Sequence, residues 1–249
     1  MISVCITTYN GERYIKEQIE SIISQISEND EIIISDDGSN DSTLSILKSF
    51  NDRRIKIFIH EKIRQKKTIF KFDLTTRNME NAIKKATGDF IFMADQDDIW
   101  EENRISSVIP FFNDYALVVS DCKVIDENKS VIYKSYFDLI NSKTGFFKNL
   151  RQNSYLGCCM AFKSDILNYA MPFPNKAVPH DIWIGLMAEI FDQVYFFKEK
   201  NILYRRHSNN LSNSAEVSSN SFFFKIRYRL LILNSILLRI IKHYKRLNK

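Results

Sequence analysis

Glycine and proline are scarce in this 249-residue chain, which contains six and four of them. That scarcity excludes collagen-like and linker-like chains, and the 45% hydrophobic content is enough to bury a full core. No run of about 18 apolar residues occurs, so no transmembrane helix is expected. The N-terminus has no basic region ahead of an apolar run, so no signal peptide is expected. The length fits one large α/β domain, alone or with an appendage.

Cysteine is also rare, and its four copies, Cys5, Cys122, Cys158 and Cys159, match no zinc-binding spacing. Cys158 and Cys159 are neighbours in sequence and are not expected to bridge each other. We therefore predict four reduced thiols in a cytoplasmic protein.

Acidic residues are missing from the C-terminal end. Residues 222–249 carry eight Lys and Arg and no Asp or Glu, although the whole chain has a formal net charge of +5. Without these eight, 27 of the 35 basic residues remain against 30 acidic ones, which leaves the body of the chain at −3. An acidic body is atypical of nucleic-acid-binding proteins.

Short apolar runs rich in β-branched residues alternate with helical patterns along the first half. Residues 2–8, 31–35, 55–59 and 90–94 have the composition of buried strands, and residues 12–26, 42–50 and 79–86 have helical spacing. Gly88 is expected to end the third of these helices. This alternation predicts an α/β fold whose central sheet is mainly parallel and flanked by helices on both faces.

The second half is less regular. Residues 117–120, 155–162 and 194–197 are typical of strands, residues 181–190 of a helix, and the Ser- and Asn-rich residues 208–221 of a mobile loop. Residues 61–77 carry six Lys and Arg with little periodicity, which indicates a surface loop or a short irregular helix. These charges are either solvated or in contact with a phosphate, and Arg77 is the best candidate for such a contact.

Polar residues follow three of the predicted strands at the point where each strand ends. The three segments are Thr7-Thr8-Tyr9-Asn10-Gly11, Asp36-Asp37-Gly38-Ser39 and Asp95-Gln96-Asp97-Asp98. Turns favour Asn, Asp, Gly and Ser, so any one segment alone is as well explained by a turn. Ligands bind at the carboxyl ends of the strands in open parallel sheets, so three such segments together predict one crevice.

The segment after the fourth strand is the most informative. Three carboxylates within four residues repel one another, and such a group usually needs a cation or strong hydrogen-bond donors. Oxygen ligands suit Mg²⁺ or Mn²⁺, which often share their coordination with substrate phosphates. Asp95 and Asp97 have the spacing to address one ion, and Asp98 is expected to cap a helix starting near Trp100.

The chain resembles family 2 glycosyltransferases of the GT-A fold over residues 1–210. The resemblance rests on the three strand-end segments, on Ala86-Thr87-Gly88-Asp89 and on the acidic motif in the form Asp95-Gln96-Asp97-Asp98-Ile99-Trp100. Further motifs are similar to those of the bacterial rhamnosyltransferases that build O-antigen and capsular polysaccharide. They are Gly157-Cys158-Cys159-Met160, His180-Asp181-Ile182-Trp183 and Tyr204-Arg205-Arg206-His207-Ser208-Asn209-Asn210.

The resemblance implies a role for each matching residue. Asp181 would be the general base that deprotonates the acceptor hydroxyl in an inverting single displacement. Asp95, Asp97 and His207 would hold a divalent cation, Mn²⁺ or Mg²⁺, on the diphosphate. The expected contacts to the nucleotide sugar, with Asp37 at the pyrimidine, are Thr7, Tyr9, Asp37, Arg77, Asp95 and Gln96. The expected acceptor contacts are Gly157, His180 and Trp183.

Plainer roles remain open for several of these residues. Asp181 would cap the helix that follows it, and His207 would be a surface histidine. Trp183 and Trp100 would stack on a sugar or pack in the core, with packing favoured for Trp100. Gly157 would permit a close approach of the backbone to the donor or acceptor sugar.

Two stretches depart from the family pattern. The family usually has an Asn-x-Gly turn after the third strand, where this chain has Glu61-Lys62-Ile63-Arg64. The stretch Arg205-Arg206-His207-Ser208 lacks the commoner Gln-His-Gly form, which weakens the inference to rhamnose but not to a glycosyltransferase.

The tail predicts a basic amphipathic helix over residues 222–249. Its apolar stripe is Ile226, Leu230, Leu233, Leu237, Ile240, Ile241 and Tyr244, with Lys and Arg largely on the opposite side. Such a helix favours the inner face of the cell membrane, and the alternatives are docking on its own domain or on a second subunit, as in a homodimer.

The predicted function is transfer of a sugar, dTDP-rhamnose favoured as donor, to an undecaprenyl-diphosphate-linked saccharide. UDP-galactose, UDP-glucose and UDP-N-acetylhexosamines are the alternative donors. Residues 1–221 would form the catalytic domain, with donor binding in residues 1–100 and acceptor binding in residues 101–221. A non-catalytic sugar- or lipid-binding module and a nucleotidyltransferase are the competing classes, and the latter usually carries a glycine- and lysine-rich phosphate loop that residues 7–11 lack.

Overall fold

The computed structural model describes residues 1–60, 72–174, 178–208, 210 and 221–247. The predicted α/β fold is confirmed, because strands and helices alternate along the first half and a mixed sheet runs through the centre. The strands are β1 (Ile2–Thr8), β2 (Glu31–Asp36), β3 (Ile55–Ile59), β4 (Phe90–Asp95), β5 (Ile99–Trp100), β6 (Leu117–Ile125), β7 (Val131–Tyr133), β8 (Met160–Lys163) and β9 (Val194–Arg205).

Helices connect these strands and cover the sheet. They are α1 (Ile15–Ile23), α2 (Thr43–Ser49), α3 (Phe72–Ile83), α4 (Arg104–Val108), α5 (Tyr136–Ile140), α6 (Phe146–Arg151), α7 (Leu167–Ala170), α8 (His180–Phe191) and α9 (Phe222–Leu247). Three short 3₁₀ segments, Ile109–Asn113, Gly157–Cys159 and Ser164–Ile166, complete the secondary structure of the described residues.

The sheet has two parts with different strand directions. Its order is β3-β2-β1-β4-β8-β6-β9-β5, with β7 on β6. The pairs β3–β2, β2–β1 and β1–β4 are parallel, and α1, α2 and α3 lie in the connections from β1 to β2, β2 to β3 and β3 to β4. Beyond β4 the pairs β4–β8 and β8–β6 are antiparallel, and β6–β9 is parallel again. The carboxyl ends of β1, β2, β3 and β4 therefore share one edge of the sheet.

The long strand β9 positions the segment that follows it in the chain. It pairs along most of β6, and its last part also pairs with the two-residue strand β5, with Ile99 opposite Leu203. The sequence pattern predicted a strand only at residues 194–197, so the continuation to Arg205 is an addition. Because β5 follows the acidic motif directly, this pairing returns residues 205–208 and 210 to that motif.

Some local predictions fail for identifiable reasons. Of the predicted strand at residues 155–162, only residues 160–162 are in a strand, β8, which follows a 3₁₀ turn. Of the loop and the short helix left open for residues 61–77, residues 72–77 form a helix, the start of α3. Residues 61–71, with most of the basic segment, lie outside the described residues, as do 209 and 211–220 of the predicted mobile loop. Gly88 lies beyond the end of α3, and a Cβ there would be 2.7 Å from the backbone nitrogen of Ser3. Its function is close packing against β1.

The core cysteines match the expectation. Cys5, Cys122, Cys158 and Cys159 are all within the described residues, buried and unbridged. Trp100 packs on Phe92, with the guanidinium of the buried Arg104 over its ring, so the favoured packing role of Trp100 is confirmed.

The C-terminal helix α9 docks on its own domain. Ile232 and Ile236 are buried in the common core. Arg229 donates to the carbonyl oxygens of Leu150 and Arg151, and Arg239 donates to those of Tyr169, Met171 and Pro172. Among the described helices, none is both long and apolar enough to cross a bilayer.

Candidate active site

The three predicted polar segments meet at one edge of the sheet. The register places Thr7 beside Asp95 on β4 and beside Ser35 on β2, and Thr8 beside Asp36. The segments therefore follow neighbouring strands that end together, as predicted from the sequence.

The side chain of Gln96 organises the end of β1. Its Oε1 accepts a 2.7 Å hydrogen bond from Thr8 Oγ1 and a 2.9 Å bond from Tyr9 N, and its Nε2 donates to Tyr9 O at 3.2 Å. A Cβ at Gly11 would be 2.4 Å from Gln96 Oε1, so glycine is needed for this approach. Gln96 thus holds the end of β1, next to Thr7, and the start of the loop at Tyr9, and its own contact with the donor stays a prediction.

The two carboxylates at the end of β2, Asp36 and Asp37, have different contacts. Asp36 accepts from the backbone nitrogens of Gly38 and Ser39, at 3.0 and 2.9 Å, and so shapes the turn. Asp37 is buried, and its Oδ1 lies 3.0 Å from Nδ1 of His60. His60 follows β3 at the same sheet edge and was not selected from the sequence, although the strand-end rule that selected Asp37 applies to it as well.

Helix α3 closes one side of this edge. Asn81 Nδ2 donates to Ser35 Oγ at 2.8 Å, and Asn78 Nδ2 contacts the carbonyl oxygen of Thr8 at 3.5 Å. Arg77 is on the same helix and is partly buried, so it is not a solvated surface charge. Its predicted contact with the donor phosphate remains a prediction.

The acidic motif is a cluster of closely spaced, poorly solvated carboxylates. Asp97 and Asp98 are buried and Asp95 is partly buried. Burial, followed by the charges of Asp97 and Asp181, raises the pKa of Asp95 to about 7. Burial, followed by the charges of Asp97 and Asp95, also raises the pKa of Asp98 well above its ordinary value. A cation would relieve this repulsion.

Asp98 does not cap a helix, so that prediction is wrong. Ile99 and Trp100 form the strand β5, and the next helix, α4, begins only at Arg104 after Asn103. Asp98 Oδ1 accepts from Arg205 N at 3.0 Å, and its buried Oδ2 has no hydrogen-bond partner among the described residues.

The segment after β9 contacts the acidic motif from the other side. His207 Nε2 lies 2.8 Å from Asp97 Oδ2, and Asn210 Nδ2 donates to the same oxygen at 3.0 Å. The ring of Tyr14 stacks on His207 with centroids 5.0 Å apart. Asp97 and His207 therefore lie next to each other, as predicted from the sequence. That they bind the same ion stays a prediction. Asn210 is the last residue of the motif that begins at Tyr204, and the sequence predicted no role for it.

Arg205 fixes the backbone of the acidic motif. Its Nε donates to the carbonyl oxygen of Asp97 at 2.8 Å, and its terminal nitrogen pairs with Glu17 of α1 at 2.6 Å. Its guanidinium also lies 4.7 Å from the ring centre of Tyr14. Sequence reasoning missed Arg205 as well, because only the three-dimensional pairing of β9 with β5 brings it here.

The residues present fit a divalent cation of the oxygen-preferring kind. Carboxylates of Asp95, Asp97 and Asp98 and the imidazole of His207 supply O and N donors, and one carboxylate oxygen is buried without a partner among the described residues. Oxygen atoms of Asp95 and Asp98 also lie within 4.8 Å of each other and of Cys158 Sγ. We place the candidate metal site at Asp97 and His207 and not beside Cys158, because a buried thiol is a soft ligand that suits neither Mg²⁺ nor Mn²⁺.

Asp181 reaches the same site from the second half of the chain. It is in the first turn of α8, but Pro179 holds the cap position, so the plainer capping role does not apply. Its Oδ1 accepts from Ile182 N at 2.7 Å, and its Oδ2 accepts from Asn153 Nδ2 at 3.4 Å. Burial raises the pKa of Asp181, and the neighbouring His180 opposes that rise. Asp181 is close enough to Asp95 for its charge to raise the pKa of Asp95.

His180 precedes Asp181 and lies close to Thr76 and Gly157. Its backbone nitrogen donates to Thr76 Oγ1 at 3.2 Å, and a Cβ at Gly157 would be 3.0 Å from its Nε2. Gly157 therefore permits the approach of the His180 ring. Burial lowers the pKa of His180.

Trp183 is not available to an acceptor sugar, so its predicted contact is wrong. Its ring is fully buried, and its indole nitrogen donates to the carbonyl oxygen of Ala170 at 2.8 Å. The guanidinium of Arg239 from α9 covers the ring at 5.6 Å. Asp181 and Trp183 are two residues apart, about 200° around the helix, so Trp183 lies in the core while Asp181 lies on the other side of α8.

The fold and this site together define a nucleotide-sugar transferase of the GT-A class. A parallel half-sheet presents carboxylates and polar turns at its carboxyl edge, and the second half supplies the partly buried carboxylate of Asp181, whose charge acts on Asp95. Comparison with known proteins gives the family. The model of glycosyl transferase family 2 matches residues 3–169, more than half of the chain. The chain belongs to this family and is a glycosyltransferase.

Two relatives are similar over most of the chain. The dTDP-rhamnosyl transferase RfbG of Shigella flexneri is 30% identical over 237 residues, which cover 89% of this chain and 76% of that protein. The Escherichia coli protein WfgD, a UDP-Glc:alpha-D-GlcNAc-diphosphoundecaprenol beta-1,3-glucosyltransferase, is 27% identical over 76% of this chain and 70% of its own length.

Solved structures show the same fold at lower identity. Staphylococcus aureus TarS residues 1–349 superpose at a TM-score of 0.67 in complex with UDP-GlcNAc and 0.62 in another crystal structure, with 20% identity. This chain covers 69% and 60% of those two chains, and they cover 96% and 82% of it. Glucosyl-3-phosphoglycerate synthase of Mycobacterium tuberculosis, with Mn²⁺, UDP and phosphoglyceric acid, superposes at 0.55 with 18% identity, covering 96% of this chain and 78% of its own.

Proposed function

We propose that this glycosyltransferase moves a hexose from a nucleotide-diphosphate donor to a saccharide on a polyprenyl diphosphate, with inversion at the anomeric carbon. The observation that carries the proposal is the position of Asp181, whose charge acts on Asp95 although the two belong to different halves of the chain. The donor side is residues 1–100 and the acceptor side is residues 101–221. The two substrates meet between Asp95 and Asp181.

In this mechanism each half has one task. Thr7, Tyr9 and Asp37 bind and orient the nucleoside, and Arg77 contacts the diphosphate. Asp181 takes the proton of the acceptor hydroxyl as the new C1–O bond forms and the bond from C1 to the diphosphate oxygen breaks. The nucleoside diphosphate leaves on the opposite face, so one base suffices and no covalent intermediate forms.

The acidic motif and His207 would hold a divalent cation, either Mn²⁺ or Mg²⁺. When bound, such an ion neutralises the charge that builds on the departing diphosphate. Support comes from the raised pKa of Asp95, from the orphaned oxygen of Asp98 and from the convergence of His207 and Asn210 on Asp97.

We expect metal binding to be visible without any turnover. Mn²⁺ should raise the melting temperature at pH 8, and EDTA should reverse the rise and abolish transfer. A proton and a cation compete for the same carboxylates, and the pKa of Asp95 is raised to about 7. The stabilisation should therefore be full above that pH and weaken as the pH falls to about 6. Differential scanning fluorimetry checks this, and a melting temperature insensitive to Mn²⁺ would contradict it.

For the donor, dTDP-rhamnose is the first choice. It is supported by the similarity to RfbG, whose name gives it that donor, over 89% of this chain. UDP-glucose is the runner-up, because WfgD is named for it, and UDP-galactose and UDP-N-acetylhexosamines complete the set. For the acceptor, an undecaprenyl-diphosphate saccharide of O-antigen or capsule synthesis is supported by the name of WfgD.

A turnover screen tests the donor and the class together. The full chain is incubated with each donor and a synthetic lipid-diphosphate saccharide, with and without Mn²⁺, and released nucleoside diphosphate is measured. We expect turnover with dTDP-rhamnose that requires Mn²⁺. Turnover with a UDP-sugar but not with dTDP-rhamnose would identify that UDP-sugar as the donor. Binding of a donor without any turnover would favour a non-catalytic sugar-binding module instead.

A further inference from the structure

The described part of α9 exposes a continuous row of large apolar side chains, here called the outer stripe. Leu230, Leu237 and Phe223 are 60%, 56% and 82% exposed, values that are unusual for large apolar residues. From Ile226 onward each member follows another by three or four residues, so the row runs along one side of the helix. Its members are Phe222, Phe223, Ile226, Leu230, Leu233, Leu237, Ile241 and Tyr244.

A different side of α9 attaches the helix to its own domain. Ile232 and Ile236 are buried, and Tyr228 and Ile240 pack against the core one turn before and after them. At 3.6 residues per turn, the centre of this inner face lies about 115° around the helix from the centre of the outer stripe. The outer stripe is therefore not what docks α9 on the domain, and its occupant must come from outside the described chain.

The charge beside the outer stripe identifies the occupant. Arg227, Lys242 and Lys245 are exposed on one flank of the stripe, about 100° from its centre. The helix contains no Asp or Glu, whereas the chain without residues 222–249 is acidic by three charges. A two-fold contact through the stripe would pair α9 with α9, so like charges would meet and neither helix would offer a carboxylate. An anionic lipid surface offers both an apolar interior and negative charge.

We propose that the outer stripe of α9 inserts into the interface of an anionic bilayer, with Arg227, Lys242 and Lys245 against the lipid headgroups. The helix lies in the membrane plane and its inner face stays on the domain. This goes beyond the proposed reaction and does not depend on it.

Vesicle sedimentation with the full chain tests the proposal without donor or turnover. We expect binding to phosphatidylglycerol–phosphatidylcholine vesicles and much weaker binding to phosphatidylcholine alone. Leu230→Ser with Leu237→Ser should lower the partition coefficient by about tenfold or more. Removing the charges at Arg227, Lys242 and Lys245 with Gln should lower it by about fivefold per charge and only on anionic vesicles.

The matched control is Val131→Ser with Ile132→Ser. These β7 side chains are 52% and 47% exposed, so the control removes similar apolar surface away from α9. It should bind vesicles as the wild type does, and every variant should keep the wild-type melting temperature because the altered side chains are exposed. Unchanged binding by the Leu230/Leu237 variant, or no binding by the wild type, overturns the proposal. So does a wild-type dimer in sedimentation velocity that the Leu230/Leu237 substitutions convert to monomer without affecting vesicle binding.

Discussion

Asp181→Asn is expected to lower kcat by about 10²- to 10⁴-fold, the usual contribution of a positioned general base. The amide has nearly the same shape, and its oxygen can still accept from Ile182 N, but it cannot take a proton from the acceptor hydroxyl. Donor affinity should stay unchanged, because nucleotide binding is assigned to the other half of the chain. Single-turnover kinetics and calorimetric titration with the donor separate the two effects.

The stability of the Asp181→Asn variant has a predictable sign. Burial raises the pKa of Asp181 in the folded protein, so the charged form lowers the stability of the fold at neutral pH. A neutral amide removes that cost, and the melting temperature should not fall. Asp114→Asn makes the same chemical change at an exposed position and should leave both kcat and melting temperature as they are.

The pH dependence of kcat gives an independent check. The base form of Asp181 exists above its pKa, so the wild-type rate should fall as the pH drops through that pKa, which lies above the ordinary 3.8 of an aspartate. Measured at saturating Mn²⁺, so that loss of the ion does not contribute, the variant should lose this acidic limb. If Asp181→Asn keeps most of its activity, the assignment of the base is wrong, whatever the outcome of the donor screen.

The donor side could be predicted from the sequence because its signals are local. A buried strand followed by a polar turn is a contiguous pattern, and β1, β2 and β4 each end within one residue of the predicted position. Parallel strands then bring Thr7 beside Asp95 without further information. The strand-end rule would also have found His60, had it been applied to β3.

The other half depends on contacts that leave no local pattern. Asp97 and His207 are 110 residues apart, and they meet because a two-residue strand, β5, pairs with the end of β9. Neither β5 nor Arg205 has a signal in periodicity or composition. Asp181 and His207 were selected through the family resemblance alone, since their own surroundings suggest a cap and a surface residue.

Periodicity also fails where more than one face of a helix is apolar. In α8 nearly every position from Ile182 to Ala188 is buried, so spacing cannot tell that Trp183 points into the core. In α9 the stripe identified from the sequence is mostly the exposed one, and the docked face, with Ile232 and Ile236, was not selected. Both faces repeat at three- and four-residue steps, and only the packed domain distinguishes them.

Asp97→Asn is expected to reduce transfer by about 10²- to 10³-fold, the scale of losing one preorganised electrostatic contact at the leaving group. The fold should survive, because the substitution removes one charge from a cluster in which the carboxylates raise one another's pKa. The amide oxygen can still accept from His207. The stabilisation by Mn²⁺ should shrink together with the activity, which thermal melting measures separately from turnover.

His207→Gln tests whether the histidine works through the same ion. His207 Nε2 and Asp97 Oδ2 are 2.8 Å apart, so both can address one cation. If they do, the double variant should lose little more than Asp97→Asn alone, because residues that act as a unit are not additive. Additive losses would instead assign His207 to a separate contact with the diphosphate. In that case His207→Gln alone should leave the Mn²⁺ stabilisation intact while lowering turnover, a result that a shared metal site does not allow.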